Sequence, residues 1–359
     1  MLGDTVTPPT TIGDASTAAS AKMRVGLGQT SLLTKDFLTF ARQLGLSSVQ
    51  VNTPQLPGDS RWEWDDIARL ARTARDHGCV LEAIENVPIH FYMDAMMGGP
   101  RRDEQIENYL HIIRGVGQAG VPVLGFHWMP NSVWRTRRDS PGRGGAHCTA
   151  FDLSLVDNAP VGGIAAYMPP FSGMPASQDE VLIGPDDLWD TFRYFIEAVL
   201  PVAEESGVRL ALHPDDPPVQ MLGGVARILS TVDDFVRADA LTGSPAFALD
   251  LCLGCCSEMA GGAANVDAMI RHFGPKGRIA YVHFRDVQGT VPSFQECFIG
   301  EGNFDALATM RLLRDVGFDG FLIDDHVPRL IDDTPYCHRG RAHAVGYMQG
   351  MLAALDAGL

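Results

Sequence analysis

Short apolar segments alternate with amphipathic helical segments along most of this chain, and this alternation constrains its fold more than any other feature. Residues 23–27, 48–52, 80–84, 121–127, 208–212, 247–251, 279–282 and 320–323 have the length and composition of buried strands. Apolar residues recur at helical spacing in 34–44, 64–77, 102–119, 188–205, 225–238, 266–273, 305–316 and 341–355. Strands that alternate with helices in this way predict an α/β protein, a (β/α)8 TIM barrel.

An open, doubly wound sheet is the alternative to the barrel. Such a sheet is expected to carry a glycine-rich phosphate loop after its first strand. Residues 26–31 read Gly-Leu-Gly-Gln-Thr-Ser, so the third glycine of that loop is missing. A chain of 359 residues, 45% of them hydrophobic, also suits one barrel with an insertion. We therefore favour the barrel.

The alternation stops between the fourth and fifth predicted strands. Residues 129–183 are rich in Gly, Pro, Arg and Ser and show little periodicity, so we predict a long insertion after strand 4. Its basic residues Arg135, Arg137 and Arg138 form either a solvated loop or a lid that closes on an anion. Residues 1–22 lack the basic start and apolar centre of a secretion signal and are predicted to be a disordered tail. We expect residues 23–359 to form a single catalytic domain.

Four predicted strands end in a residue that can bind a metal ion. His213 follows the fifth strand, Cys252 the sixth and His283 the seventh, and Asp325 follows the eighth. The carboxyl ends of consecutive barrel strands are neighbours, so these side chains can converge. One thiolate, two imidazoles and one carboxylate suit Mn²⁺, Fe²⁺ or Zn²⁺ better than Mg²⁺ or Ca²⁺. Asp324 is the alternative to Asp325, since the sequence cannot separate adjacent aspartates.

Other polar residues lie close to the same strand ends. His326 directly follows the last ligand candidate, and a neutral imidazole there would suit proton transfer near pH 7, although a structural role is the alternative. Arg285, two residues after His283, could bind a substrate carboxylate through two hydrogen bonds or form a salt bridge within the protein. Glu85 flanks the end of strand three and His127 ends strand four, so both are candidates for substrate binding.

Charge and cysteine content narrow the class of partner and the compartment. A net charge of −16 argues against binding to nucleic acid or to an anionic membrane. No apolar run approaches the roughly 20 residues that a membrane span needs. The seven cysteines are irregularly spaced, which fits a reducing cytoplasm better than a disulfide framework. We expect a cytoplasmic protein that acts on a small molecule.

At these positions the chain resembles the mannonate dehydratase family, a group of xylose-isomerase-like TIM barrels. The most specific motif is His-Pro-Asp-Asp-Pro-Pro at 213–218, and Glu-Asn-Val-Pro at 85–88, Cys-Leu-Gly at 252–254 and His-Phe-Arg at 283–285 add to it. The resemblance implies a homo-oligomer with an Mn²⁺ site. It implies that His213, Cys252, His283 and Asp325 bind the metal, that His326 is the catalytic acid or base, and that Tyr336 is the catalytic tyrosine.

The chain departs from the family pattern in the region expected to contact substrate. Gly-Leu-Gly-Gln at 26–29 replaces an Arg-Trp-Tyr-Gly stretch, and Ile323 and Asp324 replace the Arg-Pro that precedes the Asp-His pair. His127 stands where the family has an asparagine. We therefore expect a divergent member whose substrate need not be mannonate itself.

The leading hypothesis for function is metal-dependent dehydration of a sugar acid such as D-mannonate to a 2-keto-3-deoxy acid and water. His326 and Tyr336 are the candidates for the two proton transfers. A metal-dependent sugar isomerase or epimerase on the same barrel is the alternative, because it needs the same proton abstraction without loss of a hydroxyl. A carbohydrate-binding relative without activity is a third hypothesis, which the metal-ligand set and His326 disfavour.

Overall fold

The computed structural model describes residues 22–156 and 181–358. The strands within these ranges are β1 (Arg24–Leu27), β2 (Ser48–Asn52), β3 (Val80–Glu85), β4 (Val123–Phe126), β5 (Arg137–Pro141), β6 (His147–Asp152), β7 (Arg209–Leu212), β8 (Met221–Leu222), β9 (Val225–Ala226), β10 (Phe247–Cys252), β11 (Ile279–His283), β12 (Asp286–Thr290), β13 (Ser293–Cys297) and β14 (Phe321–Ile323). The helices are α1 (Lys35–Gln43), α2 (Trp64–Asp76), α3 (Met93–Met97), α4 (Arg102–Gln118), α5 (Pro185–Glu205), α6 (Val232–Ala240), α7 (Leu253–Glu258), α8 (Ala263–Phe273), α9 (Ala306–Asp315) and α10 (His338–Asp356).

The predicted barrel is confirmed. Strands β1, β14, β11, β10, β7, β4, β3 and β2 form a closed barrel in that order, and every neighbouring pair is parallel. These are the eight strands that the apolar segments predicted. Small and aromatic side chains fill the barrel interior, and the rings of Tyr281 and Phe321 stack there at 5.0 Å between centroids. The interior is therefore a packed core, and a site can form only at one end of the strands.

The predicted helix at 225–238 is wrong in its first half. Residues Val225–Ala226 form β9, which pairs with β8, and α6 begins only at Val232. Thr231 caps this helix, because its hydroxyl accepts a hydrogen bond from Asp234 N–H at 3.3 Å while the Asp234 carboxylate accepts one from Thr231 N–H at 2.9 Å. This capping box is the local signal that marks the true start of the helix.

Two antiparallel hairpins that the periodicity did not predict stand at the carboxyl ends of the barrel strands. β5 and β6 follow β4, and β12 and β13 follow β11. They join into one sheet in the order β12-β13-β6-β5. Part of the predicted insertion, residues 157–180, lies outside the described residues, as do residues 1–21 of the predicted tail. Among the helices of the described ranges, none combines the length and the apolar character needed to cross a bilayer.

Candidate active site

A cavity of about 630 Å³ lies at the carboxyl ends of the barrel strands. Residues at the ends of six of these strands contribute to its wall, namely Gln29, Asn52, Glu85, His127, His213 and Asp325. The segment before β5, the two hairpins and the segment after β14 complete the wall with Arg135, Thr149, Glu296, His326 and Tyr336. This is the face on which TIM barrels carry their active sites.

Unusual backbone conformations are concentrated in this wall. Within the described residues, six residues other than glycine have a positive φ, and five of them line the cavity. They are Gln29, Thr53, Asn86, Ser132 and Cys337. Thr53 has a φ of 44°, which is strained for a β-branched residue. Strain of this kind is typical of binding and catalytic sites.

The four predicted metal ligands converge below the cavity. Donor atoms of His213, Cys252, His283 and Asp325 all lie within 4.8 Å of one another, and all four residues are buried. Cys252 Sγ lies 3.9 Å from Asp325 Oδ2, and His283 Nδ1 lies 3.7 Å from the same oxygen. The two imidazole rings are 5.3 Å apart between centroids. The structure thus brings together one donor from each of four neighbouring strand ends.

The hydrogen bonds of the two imidazoles leave one ring nitrogen of each free for a metal. His213 Nδ1 lies 2.7 Å from the carbonyl of Pro214, which can only accept, so Nδ1 carries a hydrogen and Nε2 is the nitrogen available to a metal. His283 Nε2 lies 2.9 Å from Glu85 Oε2, and its Nδ1 is buried without a hydrogen-bond partner among the described residues. Metal-binding histidines are held in this manner in proteins, so the residues present fit a bound metal ion.

The charge around the cluster also favours a cation. Burial alone would lower the pKa of His213, but its hydrogen bond with Cys252 and the nearby Asp250 raise it to about 10. Burial would likewise raise the pKa of the Cys252 thiol, yet a hydrogen bond with the Cys255 side chain and the Arg285 cation hold it well below its usual range. Cys252 is therefore poised as a thiolate, the form that binds metals. The same negative field that holds protons on the imidazoles would hold a metal in their place.

Glu85 accepts a hydrogen bond from the metal-ligand candidate His283. Besides His283, its carboxylate accepts hydrogen bonds from Asn52 Nδ2 at 2.9 Å, from Gln29 Nε2 at 3.1 Å and from Gln50 Nε2. Asp250, which we did not predict, lies 3.5 Å from the same His283 nitrogen. The predicted substrate contact of Glu85 stays a prediction. The contacts assign Glu85 a further role in orienting His283.

Arg285 does not face the cavity, which corrects the predicted clamp on a substrate carboxylate. Its guanidinium is buried and donates to Asp325 Oδ2 at 2.8 Å, to Glu258 Oε1 at 2.7 Å and to Asp216 Oδ2 at 3.0 Å. A Cβ on residue 254 would overlap this guanidinium, which explains the glycine in Cys-Leu-Gly. Arg285 therefore forms the internal salt bridge of the alternative hypothesis and holds the ligand candidate Asp325.

His326 lies in the cavity wall and is held by a residue that sequence reasoning missed. Its Nδ1 lies 2.7 Å from Glu296 Oε1, and its Nε2 lies 3.7 Å from Asp325 Oδ1. The Glu296 carboxylate is buried and also accepts a hydrogen bond from Arg135 Nη2 at 2.7 Å. Glu296 belongs to β13, a strand without a predictive apolar pattern, so the sequence offered no signal for it.

The remaining candidates, Tyr336 and His127, also line the cavity. The Tyr336 hydroxyl donates to the Gly28 carbonyl at 2.6 Å, and burial raises the pKa of this phenol. Burial lowers the pKa of His127 to about 3, so this ring is neutral. Its Nδ1 accepts a hydrogen bond from Met129 N–H at 3.2 Å, which leaves the hydrogen on Nε2.

The choice between the two adjacent aspartates follows from their contacts. The Asp324 carboxylate is buried and lies 3.2 Å from Arg341 Nη1, away from the ligand cluster. Asp325 supplies the oxygen that joins His213, Cys252 and His283. Asp325 is therefore the ligand candidate.

Known proteins are similar to this chain in both sequence and structure. The family model for D-mannonate dehydratase (UxuA) matches residues 34–359. Mannonate dehydratase 2 of Halalkalibacterium halodurans is 33% identical over 279 residues, 74% of this chain and 79% of the relative. Mannonate dehydratase of Streptococcus suis is 33% identical over 327 residues, 86% of this chain and 87% of the relative.

Solved structures agree with this relationship. The crystal structure of mannonate dehydratase from Streptococcus suis serotype 2 matches with a TM-score of 0.81 at 28% identity and covers 94% of this chain and 96% of that chain. An L-ribulose 3-epimerase matches with a TM-score of 0.56 at 17% identity over 94% of this chain and 96% of that chain, a likeness of fold alone. The resemblance predicted from the motifs is confirmed, and the chain belongs to the D-mannonate dehydratase family of hydro-lyases.

Proposed function

We propose that this chain is a metal-dependent dehydratase that converts a sugar acid such as D-mannonate into a 2-keto-3-deoxy acid and water. The observation that carries the proposal is the convergence of His213, Cys252, His283 and Asp325 within 4.8 Å, beside a cavity that holds His326. Membership of the D-mannonate dehydratase family supports the reaction class.

The proposed cofactor is Mn²⁺, with Fe²⁺ and Zn²⁺ as the alternatives. Two imidazoles, one thiolate and one carboxylate would hold it, a donor set that suits these ions. When bound, a divalent cation there supplies positive charge beside the substrate carboxylate, which makes the hydrogen on the neighbouring carbon more acidic.

Two proton transfers complete the reaction. A base removes the proton from C2, the electron pair forms the C2–C3 double bond, and the C3 hydroxyl leaves as water after it receives a proton from an acid. The resulting enol then becomes the 2-keto acid. Because burial raises the pKa of Tyr336, its hydroxyl stays protonated at neutral pH and can donate a proton but not accept one as a phenolate. His326 and Tyr336 are the groups that we propose for these two proton transfers.

The rest of the cavity wall suits a polyhydroxylated chain. His127 presents a neutral ring whose Nε2–H can donate to a substrate oxygen, so it remains our proposed substrate contact. Asn86 lines the cavity as well, and its Oδ1 is buried without a hydrogen-bond partner in the described part of the chain. Neutral donors and acceptors of this kind bind hydroxyl groups without a charge requirement.

The test is turnover on a panel of aldonic acids that differ in configuration at C2 and C3, including D-mannonate. Protein stripped of metal is reloaded with Mn²⁺, Fe²⁺ or Zn²⁺, and the 2-keto acid is measured. We expect product with at least one acid, a loss of about 10²–10⁴-fold in His326→Asn, and no loss in His147→Asn, an exposed histidine of β6. Absence of keto acid from every aldonate, with metal shown to be bound, would refute the dehydratase.

The same experiment run in D₂O separates the alternative function. Exchange of the C2 hydrogen without formation of keto acid would support a sugar epimerase or isomerase on this barrel. We further propose a cytoplasmic homo-oligomer that binds neither nucleic acid nor membranes, on the basis of the net charge of −16 and the family. Light scattering on the purified protein tests the oligomer.

A further inference from the structure

We propose that Glu296 is a positioning residue for His326, and that the insertion after β4 supplies the arginine that holds Glu296 in place. The inference deepens the proposed function and rests on it, since it concerns the group assigned to proton transfer. It also gives the insertion a role in the site.

A hydrogen bond joins the side chains of His326 and Glu296. His326 Nδ1 lies 2.7 Å from Glu296 Oε1. An ionised carboxylate only accepts hydrogen bonds, so Nδ1 must carry the hydrogen. The other ring nitrogen, Nε2, then points toward the ligand cluster, 3.7 Å from Asp325 Oδ1. Glu296 therefore selects both the orientation and the tautomer of a ring whose side chain is 39% exposed.

Arg135 holds the Glu296 carboxylate in place. Arg135 is buried, and all five of its N–H groups have acceptors. Nη2 donates to Glu296 Oε1 at 2.7 Å and to Asp216 Oδ2 at 2.9 Å, and Nη1 donates to Asp216 Oδ1 at 2.5 Å. The Trp134 carbonyl and the Thr149 hydroxyl accept the remaining two, at 2.9 Å and 3.2 Å. A guanidinium with every donor engaged is a rigid support for the carboxylate.

These residues come from segments that lie far apart in the chain. Glu296 lies on β13, and β13 pairs with β6 of the insertion, where Gln295 is opposite Ala150. Arg135 and Thr149 belong to the same insertion, and Asp216 belongs to the His-Pro-Asp-Asp motif. The two hairpins therefore join above the barrel and bring one carboxylate to His326. Without the insertion, β13 would keep its pairing with β12 but lose its pairing with β6, and Glu296 would lose its hydrogen bond from Arg135.

The test compares Glu296→Ala and Glu296→Gln with wild type, all loaded with Mn²⁺. We expect kcat to fall about 10–100-fold in Glu296→Ala, with KM and metal content unchanged, because general acid–base catalysis of this kind contributes about 10²–10⁴-fold and only its orientation is lost. Glu296→Gln should keep part of the rate, since its amide oxygen can still accept from Nδ1–H. Glu301→Gln is the matched control, because Glu301 pairs with Arg143 near the protein surface and lies outside the contacts of His326.

Chemical rescue separates positioning from a purely structural role. Formate added to Glu296→Ala should restore part of kcat, because it can occupy the space of the missing carboxylate beside the cavity. A kcat within twofold of wild type would overturn the proposal. A loss of kcat that formate does not restore, and that accompanies loss of metal or of thermal stability, would equally assign Glu296 to structure alone.

A measurement independent of activity distinguishes this proposal from failure of the proposed function. If wild type converts no aldonate, the dehydratase assignment fails, and the tautomer of His326 decides the positioning role. Nitrogen-15 NMR of the zinc-loaded protein should show His326 protonated on Nδ1 in wild type and a changed tautomer population in Glu296→Ala. An unchanged tautomer population in the variant would overturn the positioning role.

Discussion

The hydrogen bond from His283 to Glu85 makes the metal centre open to a quantitative test. Glu85→Gln replaces the carboxylate that accepts from His283 Nε2 at 2.9 Å with an amide that can present either oxygen or NH₂ to the ring. Without that acceptor the hydrogen is no longer fixed on Nε2. In part of the molecules it moves to Nδ1, and Nδ1 then has no lone pair to offer the metal. Such partners of metal ligands contribute about 10–100-fold in metal affinity, which corresponds to about 1.4–2.7 kcal/mol.

A second carboxylate bounds the size of this effect. Asp250 Oδ1 lies 3.5 Å from the same His283 nitrogen and can take over part of the hydrogen bond. Burial raises the pKa of Asp250 to about 7, which makes it a weaker acceptor than an ionised carboxylate, so it cannot replace Glu85 fully. We therefore expect weakened binding of Mn²⁺ and not its abolition.

The assay is titration of metal-free protein with Mn²⁺, by calorimetry or against a chelator of known affinity. Glu82→Gln is the control, because Glu82 lies on the same strand but pairs with Arg24 at 2.8 Å outside the site. Urea unfolding of the metal-free forms checks that each variant is folded. Equal Mn²⁺ affinity in Glu85→Gln, Glu82→Gln and wild type would falsify the assigned role of Glu85.

Three further predictions follow from the site. Cys252→Ser should weaken Mn²⁺ binding more than 100-fold, whereas Cys256→Ser, also buried but outside the four-residue cluster, should leave the affinity unchanged; the same titration decides. Arg285→Met leaves the buried carboxylates of Asp325 and Glu258 without this cation, although Asp216 keeps Arg135, and should lower the free energy of unfolding by about 3–5 kcal/mol, whereas the exposed Arg61→Met should leave the urea midpoint in place. Removal of Mn²⁺ with a chelator should abolish turnover and lower stability by about 2.7 kcal/mol relative to protein held at 100 times the dissociation constant, and unchanged turnover would contradict a metal-dependent reaction.

The barrel was predictable because its signal is local. Each barrel strand is a short apolar run, and each surrounding helix has an apolar face that neighbouring residues encode. The hairpins β5–β6 and β12–β13 have no such signal, because they lie over a polar cavity and bury charged residues such as Glu296. A hydrophobic pattern cannot mark a strand whose buried face carries charge.

The residues of the site were predictable from the sequence, but the hydrogen bonds and salt bridges between them were not. His213, Cys252, His283 and Asp325 could be selected because position at a strand end is itself a local property. The position of Arg285, by contrast, permitted either a substrate clamp or an internal salt bridge. Its partners lie 27, 40 and 69 residues away in the chain, and only their approach decided between the two.

The sequence by itself determined the barrel, the family and the set of residues available to bind a metal, because apolar periodicity and strand-end position are carried by neighbouring residues. The tertiary structure decided which ring nitrogens face the metal cluster, which aspartate joins it and which carboxylate holds His326. These properties depend on hydrogen bonds between distant segments, such as the one that joins Glu85 to His283 across 198 residues. The donors and acceptors of these hydrogen bonds come within reach of each other only when the barrel closes and the two hairpins meet above it.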